Sequence, residues 1–385
     1  MKNISELSRA RVALVKCETY DYSEVKKAVE KGIGLIGGCQ SFVKPGDKIL
    51  LKPNLLAPNP PEKCVTTHPA VFKAIAEVFL AAGAELSYGD SPAIGSPEHT
   101  ASKAGIMAAA KELGLVMADF KHGEEVTFKE GIQNKKFVIA RGVLDNDGII
   151  SIAKLKTHGL TRLTGAIKNQ FGCIPGILKG EFHVKLPQVD NFARMLVDLN
   201  LLLHPRLYVM DGIIAMEGNG PRSGKPRKMG VLIFSADPVA LDAVVCRLVN
   251  LHPEEIPTLK YGQEMGLGTY LNIEVAGDSI DSLVVPDFKT SSRPMPSVRN
   301  PWLRNQVVSR PHINEDMCIK CGICVQMCPV KPVVVNWRSD NKNNPPEYDY
   351  NRCIRCYCCQ ELCPEGAISI NTPWLGRIIS PLRSH

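Results

Sequence analysis

Two periods of apolar residues interleave along the first 280 positions of the chain. The runs ARVALVK (10 to 16) and KILLKPNLL (48 to 56) are short, continuous and rich in Val, Ile and Leu, which predicts buried strands, whereas His68 to Ala84 carries its apolar side chains at helical spacing. AELSYGDS (84 to 91) predicts a third strand and Glu98 to Leu113 one further helix. GIISIAKLKTH (148 to 158), VDNFARMLVDLNLLL (189 to 203) and RLYVMDGIIAM (206 to 216) continue as strand, helix and strand. Such alternation implies a mostly parallel sheet covered on both faces, so the expected fold is an α/β body, in two subdomains divided near residue 145. Ligands in such sheets bind beyond the C-terminal ends of the strands. Four polar loops stand there: Lys52-Pro53-Asn54, Gly89-Asp90-Ser91, Lys156-Thr157-His158 and Glu217-Gly218-Asn219-Gly220-Pro221.

Periodicity fades after residue 280. Residues 281–311, punctuated by Pro, Ser and Arg, read as a linker; 312–371 form a cysteine-rich α+β module, and 372–385 a short tail. Nine of the 14 cysteines lie between Cys318 and Cys363, a clustering that points to metal in a reducing compartment and not to a disulfide framework. The first run is Cys318-x2-Cys321-x2-Cys324-x3-Cys328-Pro329 and the second Cys353-x2-Cys356-x2-Cys359-x3-Cys363-Pro364. Both resemble the ferredoxins of bacterial type that carry two [4Fe-4S] clusters. The resemblance implies that the fourth cysteine of each run serves the other cluster. Cys318, Cys321, Cys324 and Cys363 would then hold one cluster, and Cys353, Cys356, Cys359 and Cys328 the other. Zinc is the alternative ligand for paired CxxC, but zinc sites do not usually repeat four cysteines at this spacing before a proline. Cys358 is surplus; its counterpart in the first run is Ile323, and a packed thiol beside the cluster is the simpler reading.

Composition bounds the remainder. The chain is 44% hydrophobic and 22% charged, no stretch is long and apolar enough for a membrane span, and the first residues lack the apolar core of a secretory signal, so a cytoplasmic protein is expected. A formal charge of +7 is scattered without basic runs, which argues against nucleic acid as a partner and leaves a basic substrate-binding face. Residues 312–371 hold six Lys/Arg against seven Asp/Glu. Two oxidised clusters would bring that module to about −5, an acidic patch on a basic body.

The stretches LLKPNLL (50 to 56), GIISIAKLKTHGLTRLTGAIKNQFGCIPG (148 to 176), DGIIAMEGNGPRSG (211 to 224) and SADPVALDAVV (235 to 245) resemble the DUF362 family, whose members often carry such a C-terminal double-cluster module. More distantly, the order of strand, KTH, GAIKN and PG is similar to the nickel-pincer lactate racemases. That likeness implies a proton-transferring role for His158, a cofactor-holding role for Lys168 and a metal-reaching one for His183. Two departures set the racemase reaction aside: the loop Asp90-Ser91-Pro92 offers no histidine to complete a proton-transfer pair, and racemisation needs no external electrons.

The loops themselves suggest an anion-binding reductive site. Lys156, Lys168 and His158, with Glu217, are the candidate catalytic residues; Lys52, Asn54, Asn169 and His183 are candidates for holding a further cofactor or substrate. Surface lysines, turn asparagines and a capping histidine are the bland alternatives, and Asp237 and Asp242 read as helix caps. The expected activity is a reductase: an external donor feeds two clusters, which serve a small anionic substrate in the α/β body. A non-catalytic electron-transfer or assembly partner is the second reading, with Pro301-Trp302-Leu303 and Pro373-Trp374-Leu375 as gripping points or as packing onto the body. No Gly-rich dinucleotide fingerprint or Walker loop is present, so a further cofactor in the body stays undefined.

Overall fold

The computed structural model describes residues 9–176, 178–290, 298, 300–338 and 342–379. Positions 291–297 and 299 of the expected linker, 380–385 of the tail and 1–8 of the body lie outside the described residues. Fifteen strands are described: β1 (Ala10–Lys16), β2 (Lys48–Pro53), β3 (Glu85–Tyr88), β4 (Val116–Met117), β5 (Gly123–Thr127), β6 (Lys136–Ala140), β7 (Gly148–His158), β8 (Arg162–Thr164), β9 (Leu207–Glu217), β10 (Lys225–Ser235), β11 (Ile273–Gly277), β12 (Arg310–Ile313), β13 (Val335–Asn336), β14 (Glu347–Tyr348) and β15 (Ile368–Asn371).

Nine of them form one sheet in the order β11-β1-β10-β9-β7-β2-β3-β4, with β8 added to β7. Neighbours from β9 to β4 are parallel, as is β11 with β1, while β10 runs antiparallel to both β1 and β9. The sheet passes residue 145 without a break, because β2 pairs directly with β7. Apolar side chains fill both faces, which requires helical cover on each. Val25, Phe72 and Phe79 from the helices Tyr22–Leu35 and Pro69–Ala81 pack on one side with Ile150 and Ile152; Phe192, Leu196 and Val244 from Val189–Leu203 and Pro238–Leu248 pack on the other with Ala153 and Leu155.

One predicted element is divided, and the helix Tyr22–Leu35 and the strands β4, β5, β6, β8, β10 and β11 were not anticipated. Glu98 to Leu113 is two helices, Pro97–Lys103 and Ile106–Glu112, because Gly105 adopts φ +74° and ends the first in the left-handed region. The first half of β10, Lys225 to Lys228, is mostly exposed and polar, so it lacks the apolar signature of a strand. In the expected linker, Leu283 and Phe288 are buried in the body core, and residues Pro301–Val307 form a helix capped by Asn300. The cysteine-rich module is closed by an antiparallel ladder of β12 with β15, beside the small ladder β13–β14.

Candidate functional site

Between the C-terminal ends of the parallel strands and the cysteine-rich module lies a cavity of about 830 Å³. Its body wall includes Asn54 after β2, Asp90 and Ser91 after β3, Lys156 at the end of β7 and Pro221 after β9, so all four predicted loops contribute. Lys168, Asn169, Lys179 and His183 follow from the segment after β8. The opposite wall comes from the cysteine loops: Gln326 to Pro329 of the first run and Cys358, Glu361 and Leu362 of the second.

The lysines are fixed by distinct partners. Lys156 Nζ donates to Asn54 Oδ1 and to the Val65 carbonyl, both at 2.6 Å, and burial together with the ammonium groups of Lys168 and Lys154 pushes it well below the ordinary lysine range. Asn54 in turn donates to Asn169 Oδ1 at 3.2 Å. Lys179 Nζ donates to Ser91 Oγ at 2.6 Å and to the Ile174 carbonyl at 3.0 Å; burial, only partly offset by Asp90, brings it down to about 7. Among the described residues the Lys168 ammonium has no hydrogen-bond or ion-pair partner, and lies 5.9 Å from the Phe171 ring centre. Burial lowers it, against the raising influence of Glu361 and Cys358. His183 stacks on Phe192 at 4.6 Å, and burial holds it neutral, at about 4. The cavity therefore presents the unpaired Lys168 ammonium and a lysine brought down to about 7, an arrangement suited to binding an anion and giving up a proton.

Three predicted residues do not line the cavity. Lys52 is fully buried behind it, its Nζ 2.7 Å from Asp90 Oδ1. Gly172 makes that pair accessible to the following turn, since a Cβ there would lie 1.9 Å from Asp90 Oδ1. Glu217 accepts the Lys289 amide at 3.0 Å and ties the segment after β11 to the end of β9. His158 has both ring nitrogens engaged: Nδ1 accepts the amides of Leu160 and Thr161 at 3.0 and 3.3 Å, and Nε2 sits 2.9 Å from Glu361 Oε1. With Nδ1 accepting, the proton is on Nε2 and the imidazole is neutral, in keeping with its burial. Instead of facing the cavity, His158 holds the helix Cys358–Leu362 of the cysteine-rich module. Lys154 is likewise spent elsewhere, on Asp211 at 2.9 Å and the Tyr20 hydroxyl at 2.6 Å.

The helix Cys358–Leu362 joins the module to the body. Burial alone would raise the Glu361 carboxyl, but His158, Lys168 and His183 outweigh it and hold the group at about 2. Gln360 Nε2 donates to Asn219 Oδ1 at 2.8 Å and to the carbonyls of Asn219 and Gly220, both at 3.1 Å. Arg222 donates to the Leu362 carbonyl at 2.7 Å and Ser223 to that of Cys363 at 3.2 Å. The loop predicted as a ligand site after β9 is thus mainly a socket for the module.

The two cysteine runs share a backbone design. Lys320 and Arg355, each two residues after the first cysteine, have φ near +60°, as do Gly322 at +77° and Tyr357 at +62° two residues later. Left-handed residues at matching positions curl each loop tightly around its cysteines. Cys318, Cys321 and Cys324 line one concavity with Cys363, the cysteine that comes from the other run. Burial and the neighbouring thiols of Cys318, Cys321 and Cys363 push Cys324 up to about 12, so thiolates here need a cation-bearing partner. Cys328, Cys353 and Cys359 pack in one cluster with Cys324 and Cys363, and the Tyr348 hydroxyl lies 3.2 Å from Cys359 Sγ. These residues fit iron–sulfur ligation. Cys358 lies between sites: its thiol hydrogen-bonds Cys356 and its side chain lines the cavity.

Sequence reasoning missed Glu361 and Lys179. Glu361 stands two residues from both Cys359 and Cys363, an acid set between cysteines; Lys179 sits on the helix Leu178–Lys185 among other charged residues and reads as solvated.

Comparison with known proteins agrees with this architecture. The family model of a domain of unknown function, DUF362, matches residues 49–247, and that of a 4Fe-4S dicluster domain matches 317–367. A thylakoid-associated protein of Synechocystis sp. is 35% identical over 257 residues, 66% of this chain and 79% of that protein. Among solved structures, the lactate racemase apoprotein from Thermoanaerobacterium thermosaccharolyticum aligns with 61% of this chain and 56% of its own, at 14% identity and a TM-score of 0.37. A structural-genomics target from Thermotoga maritima aligns with 58% and 57%, at 12% identity and a TM-score of 0.32. The chain thus spans little more than half the length of either solved structure. With that family model covering more than half of its length, the chain belongs to the DUF362 family.

Proposed function

We propose that this protein is an iron–sulfur reductase of the reducing cytoplasm, in which electrons from an external one-electron donor reach a small anionic substrate held in the cavity between body and module. Cys318, Cys321, Cys324 and Cys363 would hold one [4Fe-4S] cluster, and Cys353, Cys356, Cys359 and Cys328 the other; when bound, these groups supply one-electron transfer. The carrying observation is the shared wall: Lys156, Lys168 and Lys179 face the same cavity as Cys328 and Cys358 of the cysteine loops. Lys168 binds the anion, Lys156 and Asn54 orient it, and Lys179 delivers a proton near neutral pH. His158 acts through Glu361 as a positioning residue. The donor meets the far side of the module, where Cys321 is exposed and Met317 and Ile319 flank Cys318 in solvent.

The test is anaerobic. Reconstituted protein is reduced, freed of reductant and mixed with small carboxylates and phosphate esters bearing a reducible carbonyl, while cluster absorbance is followed. Reoxidation by one such class, slowed in Lys168→Ala with cluster content intact, is expected. Clusters that stay reduced with every acceptor, in wild type and variant alike, would refute the reductase and favour a pure carrier.

A further inference from the structure

We propose that the helices Pro301–Val307 and Trp374–Ile379 form one interfacial platform that seats the protein on an anionic lipid surface. The chain has three tryptophans, and two of them stand out from these helices: Trp302 is 70% exposed and Trp374 65%. Leu303 and Ile378 are exposed beside them. Single exposed apolar residues are ordinary; four on two short helices that contact each other are a concentration of them.

The platform is built and not frayed. The two helices pack on each other, and at Gly376 an added Cβ would lie 2.1 Å from the Val307 carbonyl oxygen, so the close approach depends on glycine. Ser309 and Thr372 hydroxyls lie 2.8 Å apart, and Arg310 pairs with Asn371 at the start of the β12–β15 ladder. Arg304 donates to the Asn351 carbonyl at 2.7 Å and Arg355 to Asn305 Oδ1 at 2.6 Å, which fixes the first helix to the second cysteine loop.

Charge selects the occupant. Residues 300–314 contain Arg304 and Arg310 without one acidic side chain, and residues 366–379 add Arg377, again without one. The strand ladder joins these two purely cationic segments to each other. A protein-binding rim ordinarily mixes polar groups and charge signs. Tryptophan with aliphatic neighbours and only positive charge is instead the composition that enters the interface of an anionic bilayer. The inference stands independently of the reductase reading.

The experiment uses the full chain with clusters reconstituted anaerobically, and vesicles of phosphatidylcholine alone or mixed with phosphatidylglycerol. Expected are co-sedimentation with the mixed vesicles that weakens with salt, and a blue shift of tryptophan emission. Trp302→Ala with Trp374→Ala lowers partitioning about tenfold or more, and Arg377→Gln lowers it about fivefold. Cluster absorbance and the remaining Trp337 emission establish that the variants are folded. Failure to bind mixed vesicles at low salt, equal binding to phosphatidylcholine alone, or undiminished binding of the double tryptophan variant overturns the proposal. So does protection of both tryptophans by a stoichiometric protein partner when vesicles give none.

Discussion

Replacing His158 with alanine tests the join between body and module. The imidazole Nε2 lies 2.9 Å from Glu361 Oε1, with His158 fully buried and Glu361 nearly so. Because Nδ1 accepts two backbone amides, the pair is a neutral donor and a carboxylate, not two opposite charges. Its removal therefore costs what a buried hydrogen bond to a charged group costs, about 1.5–3 kcal/mol. Lys168 and His183 remain near the carboxylate, so the higher cost of a wholly unpaired buried charge is not reached. The loss falls on local opening of the helix Cys358–Leu362, where the Gln360 and Glu361 amides donate to the Tyr357 carbonyl at 2.9 Å. Hydrogen exchange of the 357–363 peptide at pH 7, read by mass spectrometry, should accelerate about ten- to hundredfold. Strand β9 serves as the unchanged reference. Glu361→Gln, which keeps an acceptor but no charge, should give the smaller change. Unaltered exchange in His158→Ala, or equal acceleration across β9, would refute the assignment of His158 as the anchor of this helix.

Three further outcomes follow from single contacts. Gly165→Ala places a Cβ within 2.5 Å of all three carboxylate atoms of Asp242, which accepts the Ala166 amide at 2.7 Å; a loss of about 1–3 kcal/mol in denaturant unfolding is expected, with weaker anion binding as the turn bearing Lys168 shifts. Lys179 has a depressed ammonium pKa of about 7, so its proton-donating form disappears as pH rises through 7; substrate-driven cluster reoxidation should fall above that pH, and Lys179→Met should flatten the limb. The same depression means that burial of the charged lysine costs stability fully below pH 7 and progressively less toward pH 10.5, so the variant should gain most in unfolding midpoint on the acid side. On the proposed crossed ligation, Cys363→Ser should remove the electron paramagnetic resonance signal of the cluster assigned to Cys318, Cys321 and Cys324 and leave the other, whereas loss of the second run's own signal would refute it.

Much of the framework was legible from periodicity. Strands β1 and β7 and the helix Val189–Leu203 fall where the apolar patterns place them, because each is buried along its whole length or along one face. The rule that loops follow parallel strands into a ligand site located Asn54, Asp90, Lys156 and Pro221 on one cavity. It could not tell which polar side chain faces the space and which holds the wall. Lys52 and Lys156 look alike in sequence; one is spent on Asp90 and the other reaches the cavity. His158 looks like a proton carrier because its loop precedes GAIKN, and only the contact with a residue some two hundred positions later shows it as an anchor. Strand alternation speaks to faces of a sheet, and this partner belongs to another module.

The same limit explains why the five residues Cys358 to Leu362 were undervalued as ligand spacing alone. Each answers a different demand: Cys358 lines the cavity, Gln360 fills the Asn219 socket, Glu361 meets His158, and the Leu362 carbonyl receives Arg222, while Cys359 turns toward Tyr348 on the module's side. A slip of one residue would set Gln360 or Leu362 against His158 and Cys359 or Glu361 in the Asn219 socket, so the register of the helix is specified from both sides. The cavity wall and the cysteine loop are therefore set by one short element. On the reductase reading, that coupling keeps the substrate beside the second set of ligands whenever the module is docked. A change at Gln360, which touches neither cysteine ligation nor the anion-binding lysines, should then slow electron delivery while both clusters and anion affinity persist. Equal delivery in Gln360→Ala would separate docking from electron transfer and leave the shared wall without a kinetic role.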